Sequence, residues 1–471
     1  MRLLILTSWL LTTSSVSNAL SLDDYLSEVR RGNPEYIAQQ KQYEGAQLKA
    51  SEGKLIFRPK FFSEVQFSHD GKPATPPLLV YNHIESLYTN AGIEQTFSFG
   101  LHTKIYYQFT RTHFFNSPYL MGDTSRFFDV NPTIELSLPI LGNGFGRTAR
   151  SQRDAIEASN QAEAYAAEAK RLALEAQAQS QYWNLALARQ SKDLQKSALK
   201  SAQEILTYIE RQTARRLADE SDRLQASALV ASRKLELKNA EIAYENTRAE
   251  FNLLRGQPED HEPDSLDTVP DGLFKERELS LTPPGDRLDV KASIAQAKAT
   301  RAQLTQVSER NKPTLDVFSL YAMNGRDHTF QGSNSSVEPS DRGTFKVGLK
   351  LVIPLSASTA KQAITGARIA QDAQDNLVQH QQLLQQKDWA TLRRSLIEMH
   401  SILSLAQDLV DAQSKRLSLE RKNLELGKTT TYQVLVSEQD KSQAEISQIE
   451  LKRQYIALQT QVLLYERNQA P

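Results

Sequence analysis

The chain has 471 residues, with 56 basic and 56 acidic side chains and a formal net charge of zero. Nothing in that bulk balance points to nucleic acid, and the absence of cysteine excludes disulfides, thiol catalysis and a cysteine-borne lipid anchor. Past the N-terminal stretch, no segment reaches the ~20 apolar residues that a transmembrane helix needs.

Met1–Ala19 reads as a secretory signal peptide: Arg2 is the positive end, Leu3–Leu11 the apolar core and Ser17-Asn18-Ala19 a small-x-small cleavage site. The mature chain is then expected to begin at Leu20. Leu22–Arg31 and Pro34–Lys54 read as helices, the second opened by an Asn33-Pro34 cap and stopped by Arg58-Pro59. A strand is expected over 61–69, with Phe61, Val65 and Phe67 on one side and Glu64, Gln66 and Ser68 on the other. His69–Asn90 is turn-rich and reads as a loop. Ile93–Thr112 reads as an aromatic hairpin bending near Gly100, and Asn116–Val130 as another loop. Thr133–Leu138 alternates cleanly, Pro139 ends it, and the glycines of 142–146 form a strand-to-helix corner.

From Arg147 to Arg255 there is neither glycine nor proline. Each costs a helix interior ~1 and ~3 kcal/mol respectively, so a long helical run is expected. Its first part, to about Thr213, would extend on the order of 100 Å at 1.5 Å per residue. Small residues along Ala155–Ala188 allow close helix packing, while the frequent Glu, Gln, Lys and Arg argue against lipid contact. A polar, proline-bearing linker occupies 259–285. Then come a helix (Arg287–Glu309), a strand (Thr314–Tyr321), a polar loop (Asn324–Arg342) and a strand (Thr344–Ile353) ended by Pro354. A second rod starts at about residue 358 and runs to Leu426.

The order helix, x-Pro, strand, loop, strand, Pro, rod, break, helix thus occurs twice. Arg58-Pro59-Lys60-Phe61 matches Lys312-Pro313-Thr314-Leu315, and Leu136-Ser137-Leu138-Pro139-Ile140 matches Leu351-Val352-Ile353-Pro354-Leu355. Arg216–Ala226 matches Gly427–Ser437. The reading is an internal duplication, 20–258 and 286–471, with Pro139 and Pro354 marking equivalent strand-to-rod junctions. Strands with one apolar and one polar face suit a wall between lipid and water, and an exported chain without a transmembrane helix spans a membrane only as a closed barrel. Four principal strands are too few to close, so the pore reading requires further copies of the chain. Alternation alone does not reject the alternative of a soluble sheet capping a helical bundle.

No enzyme chemistry emerges. Leu141–Gly146 (LGNGFG) has Arg147 where a dinucleotide fingerprint needs its last glycine, and Gly427-Lys428-Thr429 lacks the first glycine of a phosphate loop. The eight histidines are scattered without an HxxxH pair, so neither a metal nor a cofactor is expected.

The chain resembles the TolC-type outer-membrane efflux proteins over essentially its whole mature length. The residues carrying the likeness are Asn33-Pro34-Glu35, Lys312-Pro313-Thr314-Leu315-Asp316, Phe345-Lys346-Val347-Gly348-Leu349 with Ile353-Pro354-Leu355, and Leu426-Gly427-Lys428-Thr429-Thr430, in that order across both repeats. The resemblance implies an α+β membrane protein: a homotrimer with a twelve-stranded outer-membrane β-barrel set in lipid, four strands per protomer, and a long periplasmic α-helical barrel. It implies a passive exit channel of a tripartite efflux or type I secretion system, working with a periplasmic adaptor and an inner-membrane pump of RND or ABC type. By the same resemblance the periplasmic aperture falls at Ser221 and Asp222 in the first repeat and at Gly427, Thr429, Gln433 and Val436 in the second. Family members often carry Asp at the positions of Gln433 and Val436 and Arg at that of Thr429. This chain departs at all three, leaving Asp219, Glu220, Asp222 and Glu438 as the nearby carboxylates. The expectation is a gate held by hydrogen bonds and packing, with weak cation binding. The competing reading is an exported structural coiled-coil protein of the cell envelope.

Overall fold

The structure, a computed structural model, describes residues 20–72, 81–116, 125–217, 219–263, 265–275, 277–337 and 342–466; the expected signal peptide lies outside them. The chain divides into two compact units, each drawing on both halves of the sequence.

One unit, Glu44–Ala164 with Lys291–His380, is built on a seven-stranded antiparallel sheet. Its strands are β1 (Lys60–Asp70), β2 (His83–Thr96), β3 (His102–Phe115), β4 (Arg126–Leu141), β5 (Thr314–Ala322), β6 (Gly325–Asp327) and β7 (Thr344–Val352). The order is β1-β2-β3-β4-β5-β7, with β6 on β4 alone. The aromatic hairpin is therefore inserted between β1 and β4, and the chain contributes six long strands to the sheet instead of four.

The register aligns the faces of all six. Phe61 pairs with Ile93, Ile93 with Ile105, Ile105 with Ile134, Ile134 with Tyr321 and Tyr321 with Phe345. Paired residues share a face. One face thus carries Phe67, Leu87, Val317, Leu349 and Leu351, while the other carries Glu64, Asn90, Gln108, Asn131, Asp316, Lys346 and Lys350. Phe61, Phe67, Phe345 and Leu349 are each more than half exposed on the apolar face. Among the described residues, β1 and β7 each have one neighbour, so the sheet is open.

Three sequence expectations need correction. Residues 83–90 and 126–130 belong to strands, not loops. At this end of the sheet both faces carry polar groups (His83, Glu85 and Ser86 in β2), so the alternation that marks a strand disappears. Pro139 does not end β4: the strand continues to Leu141 through a register shift at Pro139, where proline's missing N–H is tolerated. Pro354 does lie beyond its strand, so the two prolines are not placed alike. The loop 324–342 contains β6 and a short helix, α6 (Phe330–Ser335), whose Phe330 meets Phe109 edge-on at 5.2 Å.

The corner after β4 is left-handed at Gly142, Asn143, Phe145 and Gly146. A Cβ on Gly146 would come within 2.7 Å of the Gly100 backbone in the β2–β3 turn, and Arg150 donates to Ser98 O at 2.6 Å. These backbone contacts anchor the inserted hairpin to the start of the first rod.

The other unit gathers the described residues within Met1–Tyr43, Tyr165–Val290 and Gln381–Pro471. Besides α6, the α-helices among the described residues are α1 (Leu22–Gly32), α2 (Pro34–Ala50), α3 (Arg147–Ala214), α4 (Glu220–Leu254), α5 (Leu288–Arg310), α7 (Ala357–Glu425) and α8 (Thr431–Glu466). α3 and α7 have 68 and 69 residues, α4 and α8 have 35 and 36. No helix among the described residues is long and apolar enough to cross a membrane. A first core packs Tyr25, Tyr182 and Phe251, the Tyr25 and Phe251 rings stacked at 4.2 Å. A second gathers Trp389, Leu396, Tyr455 and Val462. The 259–285 segment is strapped onto these helices: Trp389 donates to Ser280 O at 3.0 Å, Tyr455 to Lys275 O at 3.0 Å, and Leu266, Val269 and Phe274 pack on the cores.

Candidate gate at the helix turns

α3 and α4 are joined by 215–219, and α7 and α8 by 426–430. Both turns close in the same way. Leu217 N–H donates to Gln212 O at 2.9 Å, and Lys428 N–H to Asn423 O at 2.8 Å. The residue ahead of each donor is left-handed, Arg216 at φ 58° and Gly427 at φ 66°. This is a Schellman closure, which satisfies the last carbonyls of a helix and favours glycine at the left-handed position.

Behind the turns one buried cluster ties all four helices: Ile205 and Ile209 from α3, Ala226 from α4, Leu417 from α7, Val434 and Leu435 from α8. Next to it lies a polar junction. Glu438, almost wholly buried, pairs with Arg421 at 2.8 Å, and Arg421 also reaches Ser201. Arg233 donates to Ser442 Oγ at 3.0 Å. One ionic contact and its neighbours thus connect α3, α7 and α8, with α4 joined to α8 beside them.

The six residues expected at the aperture are distributed around these turns. Ser221 is exposed at the start of α4, and the Asp222 carboxylate accepts from the Asp219 N–H at 3.4 Å. Thr429 donates to Glu420 at 2.8 Å, Gln433 is exposed, and Val436 is half-buried. A Cβ on Gly427 would meet nothing within 4 Å, so the glycine is there for its backbone angle. Of the nearby carboxylates, Glu220 pairs with Arg223, whose guanidinium holds its carboxyl below the usual range, and Glu438 is committed to Arg421. The exposed tip therefore presents few free carboxylates to a cation. Sequence reasoning missed Arg421, Ser201 and Arg233, whose contacts cross 17, 220 and 209 positions and leave no local pattern.

No protein-family model matches the chain, and no curated protein matches it in sequence. Solved structures do. The outer-membrane protein VceC from Vibrio cholerae aligns with 94% of this chain and 94% of its own at a TM-score of 0.65 and 14% identity. The Campylobacter jejuni CmeC outer-membrane channel aligns at 0.63 and 16% identity, over 94% of this chain and 85% of its own. The chain has the TolC-type outer-membrane channel fold. The open state of the Neisseria gonorrhoeae MtrE channel shares that TolC-type fold with it at a TM-score of 0.63 and 18% identity, covering 94% of this chain and 88% of its own. At such identities the TolC-type likeness is one of fold, and the gate chemistry has to be argued from this chain's own residues.

Proposed function

We propose that the protein is the outer-membrane exit channel of a tripartite efflux or type I secretion system. The observation that carries this is the six-strand sheet, with one face largely apolar along the middle of the strands, the other largely polar, and β1 and β7 each unpaired along one edge. Such a sheet suits a membrane wall that other copies complete, because only closure pairs every backbone group in lipid. In a homotrimer, six strands from each of three copies make a wall of eighteen, in place of the twelve implied by resemblance. Barrels of 16–18 strands hold an aqueous channel. The lengths of α3 and α7, and of α4 and α8, differ by one residue each, which supports the reading of two repeats, 20–258 and 286–471, joined by the 259–285 segment. The helical unit then forms the periplasmic duct, which an adaptor opens at the 215–219 and 426–430 turns. Transport is passive here, and the inner-membrane pump supplies the energy. The gate is held by the apolar cluster around Ile209 and Val434 and by the Arg421–Glu438 pair.

The test is to extract the chain from isolated outer membranes in mild detergent, measure its mass and record its conductance. A trimer whose conductance is insensitive to millimolar divalent ions is expected. A monomer, or recovery only from the soluble periplasm, overturns the channel and favours the coiled-coil protein. Block by millimolar divalent ions overturns the packing gate alone.

A further inference from the structure

His69, His83 and His113 stand on three successive strands at the loop end of the sheet. His69 pairs with Glu85, Glu85 with His113, and His83 lies two residues from Glu85, so all four side chains share the face that is apolar further along the strands. His69 Nδ1 lies 3.7 Å from Glu85 Oε1, and the His69 and His83 rings are 4.4 Å apart. The His83 ring is stacked on Phe115 at 4.4 Å, which limits its rotation. One donor atom from each of His69, His83 and Glu85 lies within 4.8 Å of the others.

We propose that His69, His83 and Glu85 bind a divalent late first-row transition metal, of which Zn²⁺ is the representative, as a clip between β1 and β2. Two imidazole nitrogens and a carboxylate oxygen suit Zn²⁺, Ni²⁺ and Cu²⁺, and three protein ligands leave a further position for water. Metal–ligand bonds of about 2.0–2.2 Å place ligand atoms roughly 3.4 Å apart in a tetrahedron. Side-chain rotation covers the remaining distance, since His69 is exposed and the other two are half-buried. The ion has mechanical work to do: among the described residues β1 pairs only with β2, and the site ties its last rungs to that neighbour. The ligands lie on the opposite face from Glu64, Asn90 and Gln108, so the ion belongs to the outside of the wall and is not cargo in the polar interior. The site follows from the strand register alone; only its place on the outside of the wall rests on the channel reading.

The test uses the untagged full chain in detergent, freed of metal with a chelator and titrated calorimetrically with Zn²⁺. One ion per chain is expected. Affinity should fall by more than about tenfold in His69→Ala, His83→Ala and Glu85→Gln, the scale on which even outer-shell partners act. His102→Ala, at the other end of β3, should bind as the parent does. Far-UV circular dichroism identifies any variant that has lost its fold, and exposed His69 provides the variant least dependent on packing. Zn²⁺ should also slow amide hydrogen exchange at 69–70 and 84–86 in the parent but not in His69→Ala. Absence of binding at micromolar Zn²⁺, or undiminished binding by the folded His69→Ala protein, overturns the site. Binding that leaves exchange unchanged overturns the clip.

Discussion

Arg216 and Gly427 occupy the same left-handed position in the two helix turns, and only the glycine does so without steric cost. Replacing Arg216 by glycine should stabilise the helical unit by about 1 kcal/mol, and Gly427→Ala should destabilise it by a similar amount. Thermal unfolding midpoints of the two variants should therefore move in opposite directions. Glu309 is a buried carboxylate at the end of α5. Burial alone raises its carboxyl, but hydrogen bonding to Lys312 at 2.8 Å and the nearby charge of Arg147 outweigh that and hold it below the usual carboxylate range. With the folded value below the unfolded one, the contribution is fully present above about pH 4.3, the ordinary carboxyl value, and is lost as pH falls through the folded value. Glu309→Gln should cost about 1 kcal/mol at neutral pH, and its unfolding midpoint should converge with the parent's in acid.

Among the elements, the inserted hairpin decides how many strands each chain brings to the proposed wall. Its in-register pairing with β1 and β4 argues against a separate lid, because every residue from His102 to His113 pairs with both neighbouring strands. Excising β2 and β3 leaves β1 and β4 antiparallel and free to pair with each other, which restores four long strands per chain. The excised protein should insert and conduct with a smaller single-channel conductance, and an unchanged conductance would count against the eighteen-strand wall. The hairpin's anchor is equally testable. Gly146→Ala places a methyl within 2.7 Å of Gly100 at a positive φ, and should lower the unfolding midpoint of the sheet unit.

At the scale of the whole molecule, closure between copies requires β1 of one chain to lie beside β7 of the next. The chain has no cysteine, so cysteines introduced along both edges, for example at Glu64 and Lys346 with offsets of two residues, report only that pairing. Oxidation of at least one such pair in outer membranes should give covalent trimers on denaturing gels. Linked dimers without trimers in every register would indicate a different assembly.

The rods, their breaks and the polarity of the strands within the apolar band are written in the residues locally. A helix of 68 residues declares itself through the absence of glycine and proline, and a wall strand through alternation, both carried by neighbouring residues. Of the candidate gate, the turns were legible, since Gly427 and the composition around Arg216 mark helix ends locally. Tertiary structure alone decided how many strands enter the sheet, because insertion between β1 and β4 is a matter of pairing across the chain. It also decided that Glu438 is buried against Arg421, and that His69 and His83 converge although 14 positions separate their numbers. Contacts between distant segments depend on register and burial, and neither leaves a periodic trace in the residues that make them.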